Sequence, residues 1–260
     1  MEKYYADINA KAVDAWVAGG WEWGRPLAHE AYVAALRGEW RVLLTPEIAV
    51  PHEWFSPYMK GNRLSAVKIL GLASGGGQQM PVFAALGADV TVLDYSESQL
   101  ASEKMVAERE NYAINILKAD MSKPIPLKDC SFDIIFHPVS NCYVEDVYHV
   151  WNECYRLLKP GGILLAGMDN GLNYLFDDNG EESLTVVNKL PYNPLKDPHL
   201  MEQTLKTDGS VQFSHSLEEQ IGGQLQAGFI LTHLKEDRDN TGLLREYFPQ
   251  YLLTRAIRPL

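Results

Sequence analysis

The chain has few cysteines, a deficit of basic residues and no long apolar run. Its 260 residues include three cysteines, and no two of them form a C-x-x-C pair, so neither a disulfide framework nor a thiolate metal cage is predicted. Lysine and arginine number 23 against 34 aspartates and glutamates, which gives a net charge of −11. An acidic chain of this kind lacks the cationic face that binds a phosphate backbone, so nucleic acid is an unfavourable partner.

Signals for membranes and export are also missing. No segment approaches the roughly 18 uninterrupted apolar residues of a membrane span, and residues 1–7 lack the basic start and apolar stretch of a secretory signal. We therefore expect a cytoplasmic protein without membrane association, present as a monomer or homodimer. The length is typical of one elaborated domain or of a domain with a cap, and the 46% hydrophobic residues supply a sizeable core.

Aromatic residues and prolines characterise the first sixty residues. Five of the six tryptophans lie there, and Thr45-Pro46 and Val50-Pro51 prevent a long helix. We predict that residues 1–60 form short helices and loops, which together make an N-terminal helical cap. The main domain is then expected over residues 61–260.

Beyond residue 61, short apolar runs alternate with helical segments, as in a parallel sheet with crossover helices. Two closing strands are expected to pair as an antiparallel hairpin at one edge. The sequence therefore predicts an α/β fold with a doubly wound, Rossmann-like, mostly parallel seven-stranded sheet. The predicted strands are residues 67–72, 89–93, 114–117, 132–136, 163–166, 229–234 and 251–257.

Two capping boxes mark the starts of helices after these strands. Ser96 with Gln99, and Ser216 with Glu219, have the spacing in which each residue satisfies a backbone N–H of the other. For the second helix, an apolar face is predicted at residues 217, 221 and 225. Residues 171–212 are polar and rich in turns, and we interpret them as an insertion that covers the carboxyl edge of the sheet.

One segment combines a strand, a glycine-rich turn and the start of a helix. Residues 67–72 lead into Ala73-Ser74-Gly75-Gly76-Gly77, where small side chains let a ligand lie against the backbone. The next strand ends at Asp94, and an acid there can bind the hydroxyls of a ribose. Both features indicate a nucleoside ligand. The glycines also match a degenerate dinucleotide fingerprint, so an NAD-dependent oxidoreductase is an alternative.

Three later segments distinguish between these ligands. Residues 118–121 follow the third strand, residues 131–136 form the fourth, and Arg156-Leu157-Leu158-Lys159-Pro160-Gly161-Gly162 precede the fifth. In order and spacing these segments resemble the class I S-adenosylmethionine-dependent methyltransferases, strongly over residues 65–170 and more loosely over 212–258. Residues 70–81 are also similar to a bacterial subgroup of small-molecule-type methyltransferases.

The resemblance implies S-adenosylmethionine as methyl donor and assigns its contacts position by position. The glycine turn matches the segment under the methionine part, and Asp94 matches the acid that binds the ribose. Asp120 and Met121 match the pair that contacts the adenine, which Tyr95 would cover. The helix that starts near Gln78 can receive the cofactor's carboxylate. The cofactor-binding residues implied in this way are Gly71, Ala73, Ser74, Gly75, Gly77, Gln78, Asp94, Tyr95, Asp120, Met121, His137 and Pro138.

Two positions depart from the family pattern. Gly71 stands where the family commonly has an acid, and Ala73 stands where it has glycine. The usual acidic partner of the cofactor's ammonium group is therefore missing. This departure motivates a second alternative, in which the protein binds S-adenosylmethionine or S-adenosylhomocysteine without turnover.

The loop after the fourth strand is expected to face the methyl group. A direct displacement needs mainly alignment and exclusion of water, so a catalytic side chain is optional. If the acceptor must lose a proton, His137 could act as the base; alternatively it only hydrogen-bonds backbone or cofactor. Tyr143 is the second catalytic candidate, as an aromatic neighbour of the sulfonium. Residues 137–140 lack the acid or amide and the aromatic of amino-group methyltransferases, which disfavours nucleic-acid bases or glutamine as acceptors.

The acceptor is expected to be a small molecule held under the cap. Trp21, Trp23 and Arg25 belong to an aromatic, glycine-containing loop that could form a lid, although tryptophans at such positions often serve packing alone. Ser140 and Asn141 complete the predicted substrate-binding residues.

No metal is predicted in this chain. Asp169-Asn170 resembles the ligand pair of metal-dependent catechol methyltransferases. The third oxygen ligand is replaced here by His137-Pro138.

Overall fold

A mixed seven-stranded sheet organises the computed structural model, which describes residues 4–177, 183–207 and 209–260. The strands are β1 (Lys68–Leu72), β2 (Asp89–Asp94), β3 (Ile114–Lys118), β4 (Phe132–His137), β5 (Leu158–Asp169), β6 (Phe176–Asp177), β7 (Thr185–Val186), β8 (Ile230–Asp237) and β9 (Tyr251–Ile257). The order in the sheet is β3-β2-β1-β4-β5-β9-β8, and β6 and β7 form a separate small ribbon.

Helices cover the two faces of this sheet. They are α1 (Tyr5–Ala18), α2 (His29–Leu36), α3 (Gln79–Ala85), α4 (Glu97–Glu110), α5 (Val147–Leu157), α6 (Pro198–Thr207) and α7 (Gly223–Gln226), the last preceded by a π turn at Glu218–Gly222. The first five strands pair in parallel, whereas β9 pairs antiparallel with both β5 and β8. The predicted seven-stranded sheet with its terminal hairpin is therefore confirmed, and helices are present in the N-terminal region.

Strand β5 begins earlier than the sequence predicts. It starts at Leu158, directly after α5, and contains the Pro160-Gly161-Gly162 segment that we expected to precede the strand. The register shifts between the pairs Phe132 with Leu158 and Ile134 with Ile163. The glycines are thus accommodated as an irregularity within the strand, because a β-bulge absorbs extra residues without ending the pairing.

The apolar face predicted for the last helix is wrong at two of its three positions, whereas the third residue, Ile221, is partly buried and packs against the core. Leu217 and Leu225 are 56% and 52% exposed, and the buried residues of this segment are instead Gln220, Gly223 and Gln224. The reason is packing: a Cβ on Gly223 would lie 2.6 Å from the ring of Trp151 on α5, so the helix approaches α5 through its glycine. The capping box is present, with Ser216 N–H donating to Glu219 Oε2 (2.8 Å) and Glu219 N–H donating to Ser216 Oγ (3.2 Å).

The second half of the N-terminal region shares the core of the sheet. Trp54 and Phe55 are fully buried in one cluster with Phe83 of α3 and Phe136 of β4. Earlier in this region, the Leu44 carbonyl accepts a hydrogen bond from Val139 N–H after β4 (3.1 Å). This segment therefore crosses the carboxyl edge of the sheet and is held there by both apolar packing and backbone bonding.

Helix α1 lies against α4 and the strand ends beside it. The carboxylate of Asp14 accepts hydrogen bonds from Ser96 Oγ (2.6 Å) and Ser98 N–H (2.9 Å) at the start of α4. Negative charge at a helix N-terminus is favourable because backbone N–H groups there lack intrahelical partners. On the opposite side, Asn9 donates to the carbonyl of Val211 (2.9 Å) and accepts from its N–H (2.6 Å).

A buried glutamate connects α4 to the glycine turn. Glu103 is fully buried, and its Oε1 accepts a hydrogen bond from Gly77 N–H (2.8 Å). Its Oε2 is buried without a hydrogen-bond partner among the described residues. Burial raises the pKa of Glu103 to about 8, so the side chain is mostly protonated at neutral pH.

The close approach of Leu44 to β5 gives a prediction for stability. A Cβ on Gly167 would overlap the backbone carbonyl of Leu44, and overpacking of a core costs typically 1–3 kcal/mol. We therefore expect Gly167→Ala to lower the free energy of unfolding by roughly that amount, measured by urea denaturation. Gly222→Ala is the control, since its Cβ would meet no atom closer than 3.7 Å. Equal stability of the two variants would contradict the packing described here.

The buried glutamate predicts a pH dependence of stability. The pKa of Glu103 is raised above its unfolded value, so the folded protein binds more protons between about pH 4.5 and 8. Stability is therefore lost as pH rises through this window, by at most about 1.4 kcal/mol per pH unit. Unfolding free energies of wild type and Glu103→Gln across the window should diverge, with the variant lacking this component. Glu108 is exposed on the same helix, so the unfolding free energy of Glu108→Gln should change with pH as that of wild type does. If the curve of Glu103→Gln against pH runs parallel to that of wild type, the raised pKa of Glu103 is contradicted.

Candidate active site

A cavity of about 310 Å³ opens at the carboxyl ends of the central strands. Its floor is formed by the turn after β1, the loop after β4 and the last residue of β5, Asp169. A smaller hollow of about 80 Å³ adjoins it toward β2 and β3. The two spaces share Val13, Ala73, Asp94, Ser140 and Tyr143 in their walls. In a parallel α/β sheet, this edge is where ligands bind.

Asp94, at the end of β2, is held in one orientation by three backbone donors. Its Oδ2 accepts from Gly75 N–H (3.0 Å), and its Oδ1 accepts from Tyr95 N–H (2.8 Å) and Ser96 N–H (3.0 Å). Burial raises the pKa of Asp94, and these three N–H groups oppose that rise. A carboxylate offers about four acceptor sites, so one lone pair on Oδ2 is left for a ligand.

The glycine turn is packed on both sides. A Cβ on Gly75 would lie 2.9 Å from Asp94 Oδ2, and one on Gly76 would lie 2.8 Å from the Trp23 carbonyl. Gly76 and Ala73 also have positive φ, +95° and +47°, a conformation that is costly for alanine. Positions 75 and 76 therefore require glycine, because neighbouring segments contact the backbone there directly.

Two of the predicted cofactor-binding glycines do not line either space. A Cβ on Gly71 would lie 2.8 Å from the sulfur of Met80, so this position is filled by packing from α3. Gly77 donates its N–H to Glu103 and faces α4. Their lack of a side chain serves the packing of the turn in this structure.

The smaller hollow contains the residues predicted to surround an adenine. Tyr95, Asp120 and Met121 line it, and α1 covers it with small side chains. Asp120 accepts hydrogen bonds from Tyr4 Oη (2.8 Å) and from Ser122 N–H (2.8 Å). These partners come from the N-terminal region and from the loop itself.

Tyr95 is tied to the covering helix α1. Its hydroxyl donates to Asp7 (2.8 Å), and this hydrogen bond to a carboxylate, with burial, raises the pKa of Tyr95 to about 12. The ring of Tyr95 thus remains a neutral aromatic surface at physiological pH. Its position against the hollow is fixed by an N-terminal residue that the sequence patterns did not single out.

His137 does not reach the cavity. It is fully buried, with Nδ1 2.9 Å from the Leu72 carbonyl and Nε2 2.8 Å from Asn141 Oδ1. Burial lowers the pKa of His137, which favours a neutral ring. Asn141 is fully buried as well and also contacts Gln220 (2.8 Å). Of the two roles left open by the sequence, this geometry favours hydrogen bonding to the backbone over proton transfer.

The rest of the loop after β4 does face the cavity. Pro138, Ser140 and Tyr143 line its wall. Ser140 Oγ donates to the Pro138 carbonyl (3.0 Å), which stabilises the turn. Ser74, after β1, also lines the cavity, and its hydroxyl is buried without a partner among the described residues. Such a hydroxyl is available to a bound ligand.

The aromatic N-terminal loop divides between two surfaces. Trp21 and Trp23 line the cavity, together with Gln78. The Gln78 side chain donates to the carbonyls of Glu22 (2.7 Å) and Arg25 (3.0 Å), which holds the loop against the glycine turn. Arg25 itself is exposed and lines a neighbouring groove, not the cavity.

Several lining residues were not found from the sequence. Val13 lies on α1, Gln99 on α4 and Tyr251 at the start of β9, each brought in by packing of distant segments. Tyr174 comes from the insertion and donates a hydrogen bond to Gln212 (3.0 Å). The only local signal was for Asp169, which ends an apolar strand run. The wall residues that sequence analysis did not assign to ligand binding are Val13, Leu43, Leu44, Thr45, Pro46, Gln79, Gln99, Val139, Cys142, Asp169, Asn173, Tyr174, Gln212 and Tyr251.

The electrostatic character of the cavity is one-sided. None of the described residues that line the cavity is lysine, arginine or histidine, whereas two of them, Asp94 and Asp169, are acidic.

Across residues 4–177, 183–207 and 209–260, no group of three or more histidine, cysteine or acidic residues is arranged to hold a metal ion. In the same ranges, no helix has the length and apolarity needed to cross a membrane.

Comparisons with known proteins identify the family. A methyltransferase-domain model matches residues 70–166. The uncharacterized methyltransferase YbaJ of Bacillus subtilis strain 168 is 42% identical over 254 residues, covering 96% of this chain and 97% of YbaJ. A ubiquinone biosynthesis O-methyltransferase of Bradyrhizobium sp. strain ORS 278 is 30% identical over 109 residues, 42% of each chain.

The fold agrees with this result. The crystal structure of an S-adenosylmethionine-dependent methyltransferase from Mesorhizobium loti superposes with a TM-score of 0.59 at 20% identity, over 75% of this chain and 92% of that one. The family assignment rests on the match to YbaJ, because that match covers 96% of this chain and is not confined to the segment that the methyltransferase-domain model matches. The chain belongs to the class I S-adenosylmethionine-dependent methyltransferase family.

Proposed function

We propose that this methyltransferase transfers its methyl group by direct displacement to a small-molecule acceptor inside the cavity. The observation that carries the proposal is the limited volume of the cavity. Segments from residues 1–60 and 171–212 form walls opposite the sheet, and about 310 Å³ is available with the adjoining 80 Å³. Donor and acceptor must share this space, which leaves room only for a small acceptor.

The residues present fit S-adenosylmethionine. The free lone pair on Asp94 Oδ2 can accept from a ribose hydroxyl, and Met121, Tyr95 and Asp120 surround the hollow for an adenine. The unpartnered hydroxyl of Ser74 lies beside the backbone on which the methionine part would rest. When bound, this cofactor supplies an electrophilic methyl group on a sulfonium.

The chain's own residues favour that charge distribution. The aromatic side chains of Tyr143, Trp21 and Trp23 form a cavity wall suited to a desolvated cation. The covering segments exclude water, and the cavity can thereby align the acceptor with the methyl group. Alignment of this kind supplies a large part of the barrier reduction in a displacement reaction.

We further propose a domain organisation, a cellular location and an oligomeric state for this protein. Residues 1–60 and 171–212 act as cap segments on a methyltransferase domain over residues 61–260. The protein is proposed to be a cytoplasmic monomer or homodimer, with neither nucleic acid nor membrane as partner. The acidic net charge of −11 supports the exclusion of nucleic acid.

The role of Asp94 gives a binding prediction. Asp94→Asn keeps an oxygen for one backbone donor but loses the charged acceptor, so S-adenosylmethionine affinity should fall by about 1–3 kcal/mol. Calorimetric titration measures this directly. Asp89→Asn is the matched control, because Asp89 is exposed at the opposite end of the same strand and should bind as wild type. Unchanged affinity in a folded Asp94→Asn protein contradicts the assignment.

The reaction itself is tested by label transfer. Wild-type protein, methyl-labelled S-adenosylmethionine and a cell extract separated into metabolite, protein and nucleic-acid fractions should yield label in the metabolite fraction, identified by mass spectrometry. Label in nucleic acid or protein would refute a small-molecule acceptor. Tight cofactor binding without transfer to any fraction would support the non-catalytic alternative that Gly71 motivated.

A further inference from the structure

We propose that Asp169 is the general base of the reaction and that the acceptor is an uncharged aromatic hydroxyl compound, a phenol. This inference rests on the proposed methyl transfer to a small molecule. It assigns a role to a carboxylate that the cofactor does not require and that lies at the far end of the cavity.

The strand order places Asp169 on the acceptor side. Asp94 ends β2 and Asp169 ends β5, and β1 and β4 lie between them. Neighbouring strands are roughly 4.8 Å apart, so three steps separate the two carboxylates by about 14 Å. If Asp94 holds the ribose, the turn after β1 and the loop after β4 would hold the remainder of the cofactor. The space over β5 then remains for the acceptor.

Asp169 lines the cavity although only 4% of its surface is exposed. Its Oδ1 accepts a hydrogen bond from Gly171 N–H (2.9 Å), which orients the carboxyl group. The titratable groups that face it are Cys142, Tyr174 and Tyr251, from the β4 loop, the insertion and β9. Burial is the main cause that raises the pKa of each of these three groups, so all are uncharged at neutral pH.

No cation offsets the burial of this carboxylate among the described lining residues. Burial consequently raises the pKa of Asp169 to about 6, against the opposing hydrogen bond from Gly171. The group is therefore still ionised at pH 7 but is more basic than an ordinary aspartate. A base is most effective when its pKa lies close to the working pH.

The same environment selects the acceptor. An anionic acceptor would enter a cavity that holds two carboxylates and, among the described lining residues, no basic side chain. The rings of Tyr143, Tyr174 and Tyr251 offer aromatic surface for a flat body. A phenol has a pKa near 10, as for tyrosine, close enough for proton transfer to this carboxylate. A phenol is therefore uncharged, flat and acidic enough to transfer its proton to Asp169.

The proposed step balances without a further reactant. The phenol oxygen forms a bond to the methyl carbon while the carbon–sulfur bond breaks, and that electron pair stays on sulfur. Asp169 takes the proton from the phenol oxygen as the new bond forms. The products are a methyl ether and S-adenosylhomocysteine, and the carboxyl group returns its proton to water before the next turnover.

The first test measures recognition with two probes that share a naphthalene ring and differ in the charge of the substituent. 2-Naphthol and 2-naphthoate are titrated at pH 8 into protein saturated with S-adenosylhomocysteine. Wild type should bind 2-naphthol at least tenfold more tightly, and Asp169→Asn should reduce this preference at least tenfold. Asp89→Asn serves as control. Equal or tighter binding of 2-naphthoate to wild type, binding of neither probe, or an unaltered preference in Asp169→Asn overturns the inference.

The second test measures proton transfer. With labelled S-adenosylmethionine and 2-naphthol, kcat/KM of wild type should rise with pH through an apparent pKa near 6. Asp169→Asn should be at least 100-fold slower, as expected for loss of a general base, and should lack this rise. A wild-type profile without the rise, or a variant that retains rate and profile, overturns the base role.

A measurement of cofactor binding distinguishes failure of the proposed function from failure of the inference about Asp169. Asp169→Asn should bind S-adenosylmethionine as wild type does, which also shows that the variant is folded. If wild type does not bind S-adenosylmethionine, the proposed function fails and this inference fails with it. If cofactor binding and label transfer to metabolites are intact while the naphthol tests fail, only the inference about Asp169 and the phenol is overturned.

Discussion

The carboxylate of Asp94, held by three backbone N–H groups, is the interaction on which the site depends. Through Gly75 it fixes the glycine turn to the end of β2, and through Tyr95 and Ser96 it fixes the start of α4. A side chain on Gly75 would displace this carboxylate. One residue therefore determines the shape of the turn and the start of a helix, and it keeps the lone pair that we propose accepts from a ribose hydroxyl.

The covering segments are bonded to this same frame. Asp14 of α1 binds the start of α4, Gln78 binds the aromatic loop, and Asn9 binds the backbone of Val211. Because these bonds run between residues far apart in the chain, the cavity walls and its floor are one packed unit. The result is a cavity whose described lining contains two carboxylates and five aromatic side chains but no basic side chain, surroundings that favour a cation over an anion.

Much of the fold could be predicted from local patterns. Apolar runs located every strand of the main sheet, the capping boxes located two helix starts, and the glycine-rich turn located one wall of the cavity. The errors have one cause. The face of the last helix and the start of β5 depend on Gly223 against Trp151 and on pairing with β4, contacts that no local periodicity contains.

The sequence by itself predicted the mostly parallel seven-stranded sheet with its terminal hairpin, because apolar runs and turns act locally, and its resemblance to a known family predicted the methyltransferase assignment. Only the tertiary structure decided which strand-end residue lines the cavity. His137 and Asp169 end neighbouring strands, yet His137 is enclosed by Leu72 and Asn141 while Asp169 lines the cavity. Strand position brings a side chain to the edge of the sheet, but its neighbours from distant segments determine whether it meets a ligand or the protein.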